Sequence, residues 1–219
     1  MLFVWLFLYG AIMLLSAVAV PVFPCAQLAG LCLYTLALTV WIFAAGKSEA
    51  FGLRKVRAVK QHLFFIPWLM PVFYHLFRFG FSVPEWKALL GILCAGALEE
   101  LLFRGILLHK LRLRMLGIFL STLAFGAAHF LNLENGTELV PVIYQVCFAL
   151  CVGFSLSGLR LSCGSILPGI AIHCLINITA PEAAVEGDPL FWLCALICAL
   201  CGVYSIWIWK EGEKARVTA

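Results

Sequence analysis

Charge is what this sequence has little of. Asp, Glu, Lys and Arg make up 12% of its 219 residues, about half the share of an ordinary soluble domain. That is too little polar surface for a typical water-soluble enzyme, and too little for a chain kept disordered by charge. No internal repeat, low-complexity run or long linker breaks the chain, so residues 1–219 read as one domain. No basic stretch precedes the first apolar run, which reads as a retained span rather than a cleaved signal peptide. His-Glu-x-x-His, a common helical zinc-protease motif, is missing. Cysteine is not scarce, at ten residues. Nearly all lie in or beside apolar runs, where a free thiol behaves as a small hydrophobe. A secreted disulfide framework is thereby excluded, and no metal or redox role is expected of them.

What is present is apolar. Hydrophobic residues reach 64%, and the mean hydropathy is +1.05. The expected fold is all-α: a polytopic transmembrane helical bundle. A span takes ~20 apolar residues, and about eight fit, at roughly 1–23, 25–45, 63–79, 88–108, 115–131, 139–159, 164–180 and 189–209. Pro67 and Pro71 are expected to kink the third. Trp41, Trp86, Trp192, Trp207 and Trp209 fall near span ends, where an aromatic belt would sit.

The basic residues orient the bundle. One set of alternate loops holds Lys47, Arg54, Lys55, Arg57, Lys60, Lys110, Arg112, Arg114, Arg160, Lys210, Lys214 and Arg216; the other holds only Arg78 and Lys87. Lys and Arg stay cytoplasmic, so both termini are expected in the cytoplasm. Glu85, Glu134, Glu138, Glu182, Glu186 and Asp188 fall on the opposite side. The net charge of +4 thus reflects topology, and no nucleic-acid partner is expected. Asn135-Gly136-Thr137 has the form of a glycosylation sequon in an external loop, of consequence only in a eukaryotic secretory pathway.

Some polar residues sit where lipid gives no reason to keep them. A charge near the bilayer centre costs ~2.5–3.5 kcal/mol on insertion scales. The fourth span nevertheless carries Glu99, Glu100 and Arg104, the fifth carries His129, and the seventh carries His173 and Asn177. Glu100 and Arg104 are four residues apart and share a helix face, so they can pair. Glu99 lies ~140° round the helix from Arg104 and pairs less easily. A carboxylate so placed suits general-base work. His173 and Asn177 share a face, as do Phe125 and His129, so the phenyl ring should pack beside the imidazole. Glu99, His129 and His173 could meet in a cavity between helices. They would also make a plausible two-His, one-carboxylate zinc set. His75 reads as structural, and His62 and His109 as interfacial.

Glu99-Glu100-x-x-x-Arg104, then Phe125-x-x-x-His129, then His173-x-x-x-Asn177, resembles the CPBP family of intramembrane proteases. This family includes the type II CAAX prenyl endopeptidases and the bacterial Abi and bacteriocin-immunity-type proteins. The flanks agree: Phe103-Arg104-Gly105 follows the glutamates, and Gly164-Ser165-Ile166-Leu167-Pro168 precedes His173. The resemblance covers roughly residues 88–180, the expected catalytic core. It implies hydrolysis of a peptide bond in a membrane-associated or lipidated protein or peptide. By similarity, Glu99 and His129 would activate a water, His173 and Asn177 would stabilise the oxyanion, and Glu100 and Arg104 would support the site. The resemblance favours a glutamate-dependent protease that requires no metal over a zinc enzyme. Two other readings compete: a non-catalytic immunity or adaptor protein that retains these residues, and a small transporter, for which no inverted repeat speaks. The absence of a eukaryotic targeting sequence points to a bacterial plasma membrane.

Overall fold

The structure is a computed structural model and describes residues 7–8, 10–11, 25–56, 66–111, 114–133, 136–180 and 188–217. The expected first span, the sequon Asn135 and His62 lie outside the described residues or almost wholly so. Among the described residues there are helices and no strands. We number seven: α1 Ala26–Ala44, α2 Met70–Phe79, α3 Trp86–Glu99, α4 Arg114–Ala128, α5 Leu139–Cys163, α6 Leu167–Thr179 and α7 Pro189–Val217. α3 runs without a break into a π-helix, Glu100–Leu107, and a last α turn, Leu108–Lys110. α4 ends in a 3-10 turn, His129–Leu133.

Among the described residues four stretches are long and apolar enough to cross a membrane: Ala26–Ala44, Met115–Leu133, Leu139–Cys163 and Pro189–Gly212. α2 and α6 are shorter. Ten and thirteen residues reach ~15 and ~20 Å at 1.5 Å per residue, against a ~30 Å hydrocarbon core. The prolines of the third segment do not kink a helix. Ile66–Leu69 is a 3-10 turn, and Pro71 falls in the first turn of α2, where a missing N–H deprives the helix of nothing.

Burial is inverted relative to a water-soluble protein. Leu33, Leu36, Phe43, Phe77, Phe119 and Leu200 stand exposed on the outer faces, while Glu100, Arg104, Ser121, Ser157, His173 and Ser205 are buried. Lipid tails are as apolar as leucine, so helices gain little by hiding side chains from them and associate through close packing. α5 and α7 show this. A Cβ on Gly158 would stand 2.9 Å from the Gly202 carbonyl oxygen, so the two backbones cross with no side chain between them. Serines line the same crossing: a Cβ on Gly158 would also stand 3.1 Å from Ser205 Cβ.

Both ends of the bundle are tied. At one end Arg54 Nε donates to the Gly164 carbonyl at 2.6 Å, Arg160 Nη2 donates to the Ala50 carbonyl at 3.3 Å, and the Ile166 amide donates to the Gly52 carbonyl at 3.0 Å. These bonds fasten the segment after α1 to the end of α5 and the turn before α6. At the other end Asp188 is the N-cap of α7. Its Oδ1 accepts from the Leu190 amide at 2.9 Å, and its Oδ2 accepts from Tyr74 Oη at 3.1 Å and Arg78 Nε at 3.2 Å. Pro189 at the first helical position completes the start signal.

The Leu190 amide, followed by Tyr74 and Arg78, holds the Asp188 carboxyl below its ordinary value. A depressed acid stabilises the fold above its unfolded pKa, near ~4, and that contribution is lost as pH falls through the folded value. Asp188→Asn is therefore expected to lower the thermal midpoint of the detergent-solubilised protein at neutral pH. The difference from wild type should close below about pH 4, as followed by circular dichroism.

Candidate active site

The site begins where α3 changes to a π-helix. Glu99 is the last residue of α3 and Glu100 the first of the π segment, every residue of which is buried. π-turns hydrogen-bond from i to i+5 and are often found at functional sites. Two successive glutamates stand here against one imidazole. Glu100 Oε1 lies 3.2 Å from His173 Nδ1, and Glu99 Oε2 lies 3.7 Å from His173 Nε2.

Glu100 Oε1 also accepts from Arg104 Nη1 at 2.8 Å. Arg104 is 0% and Glu100 1% exposed. The guanidinium carbon stands 4.0 Å from the centre of the Phe125 ring, a cation–π contact that strengthens when desolvated. Among the described residues Arg104 Nε and Nη2 find no acceptor. The ring therefore stands in for part of the lost hydration. Two glycines make room for the cluster. A Cβ on Gly153 would sit 3.0 Å from Arg104 Nη2, and one on Gly169 would sit 3.1 Å from Glu100 Oε2.

Phe125 is shared by both histidines. Its ring meets His129 edge-on at 5.2 Å between centroids and His173 at 5.5 Å. His129 Nδ1 lies 3.1 Å from the Phe125 carbonyl oxygen. A carbonyl only accepts, so Nδ1 carries the proton and Nε2 keeps the lone pair of a base. The same logic puts a proton on His173 Nδ1, which faces a carboxylate, and leaves Nε2 turned toward Glu99.

The sequence-derived set is thus mostly assembled. Glu99, Glu100, Arg104 and His173 form one contact group, and His129 joins it through Phe125. Asn177 lies one turn beyond His173, and its side chain makes no hydrogen bond among the described residues. Exposure sorts the group: Glu100, Arg104 and His173 are buried, whereas Glu99 is 18% exposed and His129 and Asn177 are half-buried. Sequence reasoning missed the bond from Glu100 to His173, the contact of Arg104 with Phe125, and the π-turn. His75 stands apart from the site: it is buried, and its Nδ1 meets Thr179 Oγ1 at 3.2 Å, which holds α2 to the end of α6.

Among the described residues no three His, Cys, Asp or Glu side chains are grouped to hold a metal ion. All ten cysteines are free thiols. Cys198-Ala199-Leu200-Cys201 has the C-x-x-C spacing of a redox pair. Both its thiols are buried mid-helix in a cluster with Leu156 and Ile172.

Residues 81–179 match the family model of type II CAAX prenyl endopeptidase Rce1-like proteins, which is a family of proteases. The match takes in α3, α4, α5 and α6, and with them all six candidate residues and Phe125. The resemblance to the CPBP intramembrane proteases, read from three short motifs, is met by it. No curated protein and no solved structure matches the chain. With four apolar helices long enough to cross a bilayer, this stretch is carried by an integral membrane protein.

Breaking a buried ion pair by removing one partner costs ~3–5 kcal/mol. Arg104→Ala and Glu100→Ala are each expected to destabilise the fold by about that much. The double variant Glu100→Leu/Arg104→Met, which leaves no charge unpaired, should be more stable than either. Thermal unfolding in detergent checks the order.

Proposed function

We propose that this chain is an intramembrane endopeptidase that hydrolyses a peptide bond in a membrane-associated or lipidated substrate. Glu99 takes one proton from a water whose other O–H is held by His129 Nε2, as the water oxygen attacks the scissile carbonyl. The oxyanion is met by the Asn177 amide and by Nε2–H of His173, its ring doubly protonated between the two glutamates, in a site of low dielectric. The C–N bond then breaks, and the proton removed from the water passes to the leaving nitrogen. Glu100 and Arg104 touch no substrate. They fix the His173 ring and supply the negative charge that an imidazolium needs beside it.

The observation that carries this reading is the division of labour around His173. Glu100 occupies its Nδ1, so its Nε2 faces Glu99 and the exposed side of the site. A merely structural ion pair gives no reason for a second glutamate there. We further propose a single domain of eight apolar segments in a bacterial plasma membrane with both termini cytoplasmic. α2 and α6 are its short, membrane-buried members. No metal takes part in the reaction.

The test maps protein ends in cells expressing wild type or Glu99→Gln at matched levels. New ends at defined bonds near membrane anchors are expected with wild type and absent with Glu99→Gln, a loss of at least ~100-fold for removal of a general base. Identical profiles, with any wild-type phenotype retained by Glu99→Gln, would replace catalysis with an immunity or adaptor role. Cleavage by the purified protein should survive a zinc chelator. Loss on chelation and recovery with Zn²⁺ would make it a metalloprotease instead.

A further inference from the structure

A second pair of polar side chains lies beside His129. α5 is apolar enough to cross a membrane, yet it carries Gln145 exposed near its start. Gln145 Oε1 accepts a hydrogen bond from Asn132 Nδ2 at 2.8 Å, and this bond is itself exposed. A primary amide offers two donors and a carbonyl acceptor. The bond uses one Asn132 donor and one Gln145 acceptor site. Among the described residues Asn132 Oδ1 and Gln145 Nε2 have no further side-chain partner, so a C=O and an N–H stand side by side. That is the hydrogen-bonding set of a peptide group, turned outward.

The position of this pair follows from the backbone. α4 changes to a 3-10 turn at His129. With three residues per turn, side chains at i and i+3 eclipse. Asn132 therefore lies on the same face as His129, about 6 Å further along the axis at ~2.0 Å per residue. A continued α-helix would have turned it away by about 60°. At ~3.3 Å per residue, 6 Å is about two residues of extended peptide.

An intramembrane protease must hold its substrate unwound at the cut bond. Each peptide group so released in an apolar medium lacks a partner, at a cost of several kcal/mol. We propose that Asn132 and Gln145 form a subsite that pairs with the backbone of the substrate about two residues from the scissile bond, as an added strand pairs with a sheet edge. This inference rests on the protease reading above. The subsite recognises extended peptide whatever its side chains, and so supplies affinity and register rather than sequence preference.

The test uses the full chain in detergent micelles and a synthetic peptide copying the residues around a Glu99-dependent cut site mapped in cells. A series of analogues each carries one N-methylated backbone amide. Removal of a binding contact alone raises KM and leaves kcat. For Gln145→Leu and Asn132→Leu we expect KM to rise about tenfold and kcat to stay within about twofold, the size of one or two net hydrogen bonds. One N-methyl analogue near the cut should cost the wild type about tenfold and cost Gln145→Leu nothing further. Gln145→Glu guards against misfolding. It keeps an acceptor for Asn132 but loses the outward donor, so a pair that only joined α4 to α5 would tolerate it. It too should raise KM. Unchanged KM in Gln145→Glu, or equal N-methyl penalties in wild type and variants, would overturn the subsite while Glu99-dependent cleavage persists. If wild type and Glu99→Gln both leave the peptide intact, the protease reading falls and the subsite with it.

Discussion

A guanidinium removed from solvent is tolerable only where its charge is answered at contact distance, and Arg104 is completely buried. Glu100 answers it at 2.8 Å, and the face of Phe125 answers it at 4.0 Å. That requirement disciplines the centre of the molecule. Glu100 must point inward, so α6 must present a glycine, Gly169, to its second oxygen. Phe125 must lie under the guanidinium, so α5 must present Gly153. Three helices are thereby brought against α3 and its π-turn at fixed distances. The ion pair need not add net stability, since desolvation offsets much of the attraction. What it adds is a single permitted arrangement.

That arrangement carries over to the candidate chemistry. His173 takes the same carboxylate oxygen as Arg104, and its ring orientation follows from theirs. His129 is oriented differently, by a backbone carbonyl of its own helix and the edge of the same Phe125 ring. The two imidazoles share the Phe125 ring, but one is set by buried charge and the other by local backbone. Each keeps Nε2 free of the bond that orients it.

Around this centre the bundle is held by contact rather than by exclusion of water. The exposed leucines and phenylalanines face what should be lipid, so glycine and serine at the α5–α7 crossing do the packing. Polar ties close the two ends. Arg54 and Arg160 reach backbone carbonyls across the turn before α6, which fixes the start of the helix that carries His173. Asp188 ties the start of α7 to α2.

Much of this was legible in the residues. Low charge and long apolar runs could only mean membrane helices, because nothing else buries so much apolar surface in so short a chain. Six polar residues inside those runs marked the site, because lipid penalises each of them. Helix spacing paired Glu100 with Arg104 and set Phe125 beside His129, as the structure has them. Other features lay beyond any periodicity argument. Glu99 and Glu100 meet opposite nitrogens of one imidazole, which depends on where α6 places the His173 ring between them. The third and seventh segments are short helices rather than full spans, because a proline starts one and a turn held by Arg54 starts the other. The sequence by itself determined the solvent and the cast of polar residues, since both follow from transfer free energies that each residue carries alone. Which carboxylate holds which histidine was decided only by tertiary structure, because it depends on the approach of α6 and α4 to one buried charge.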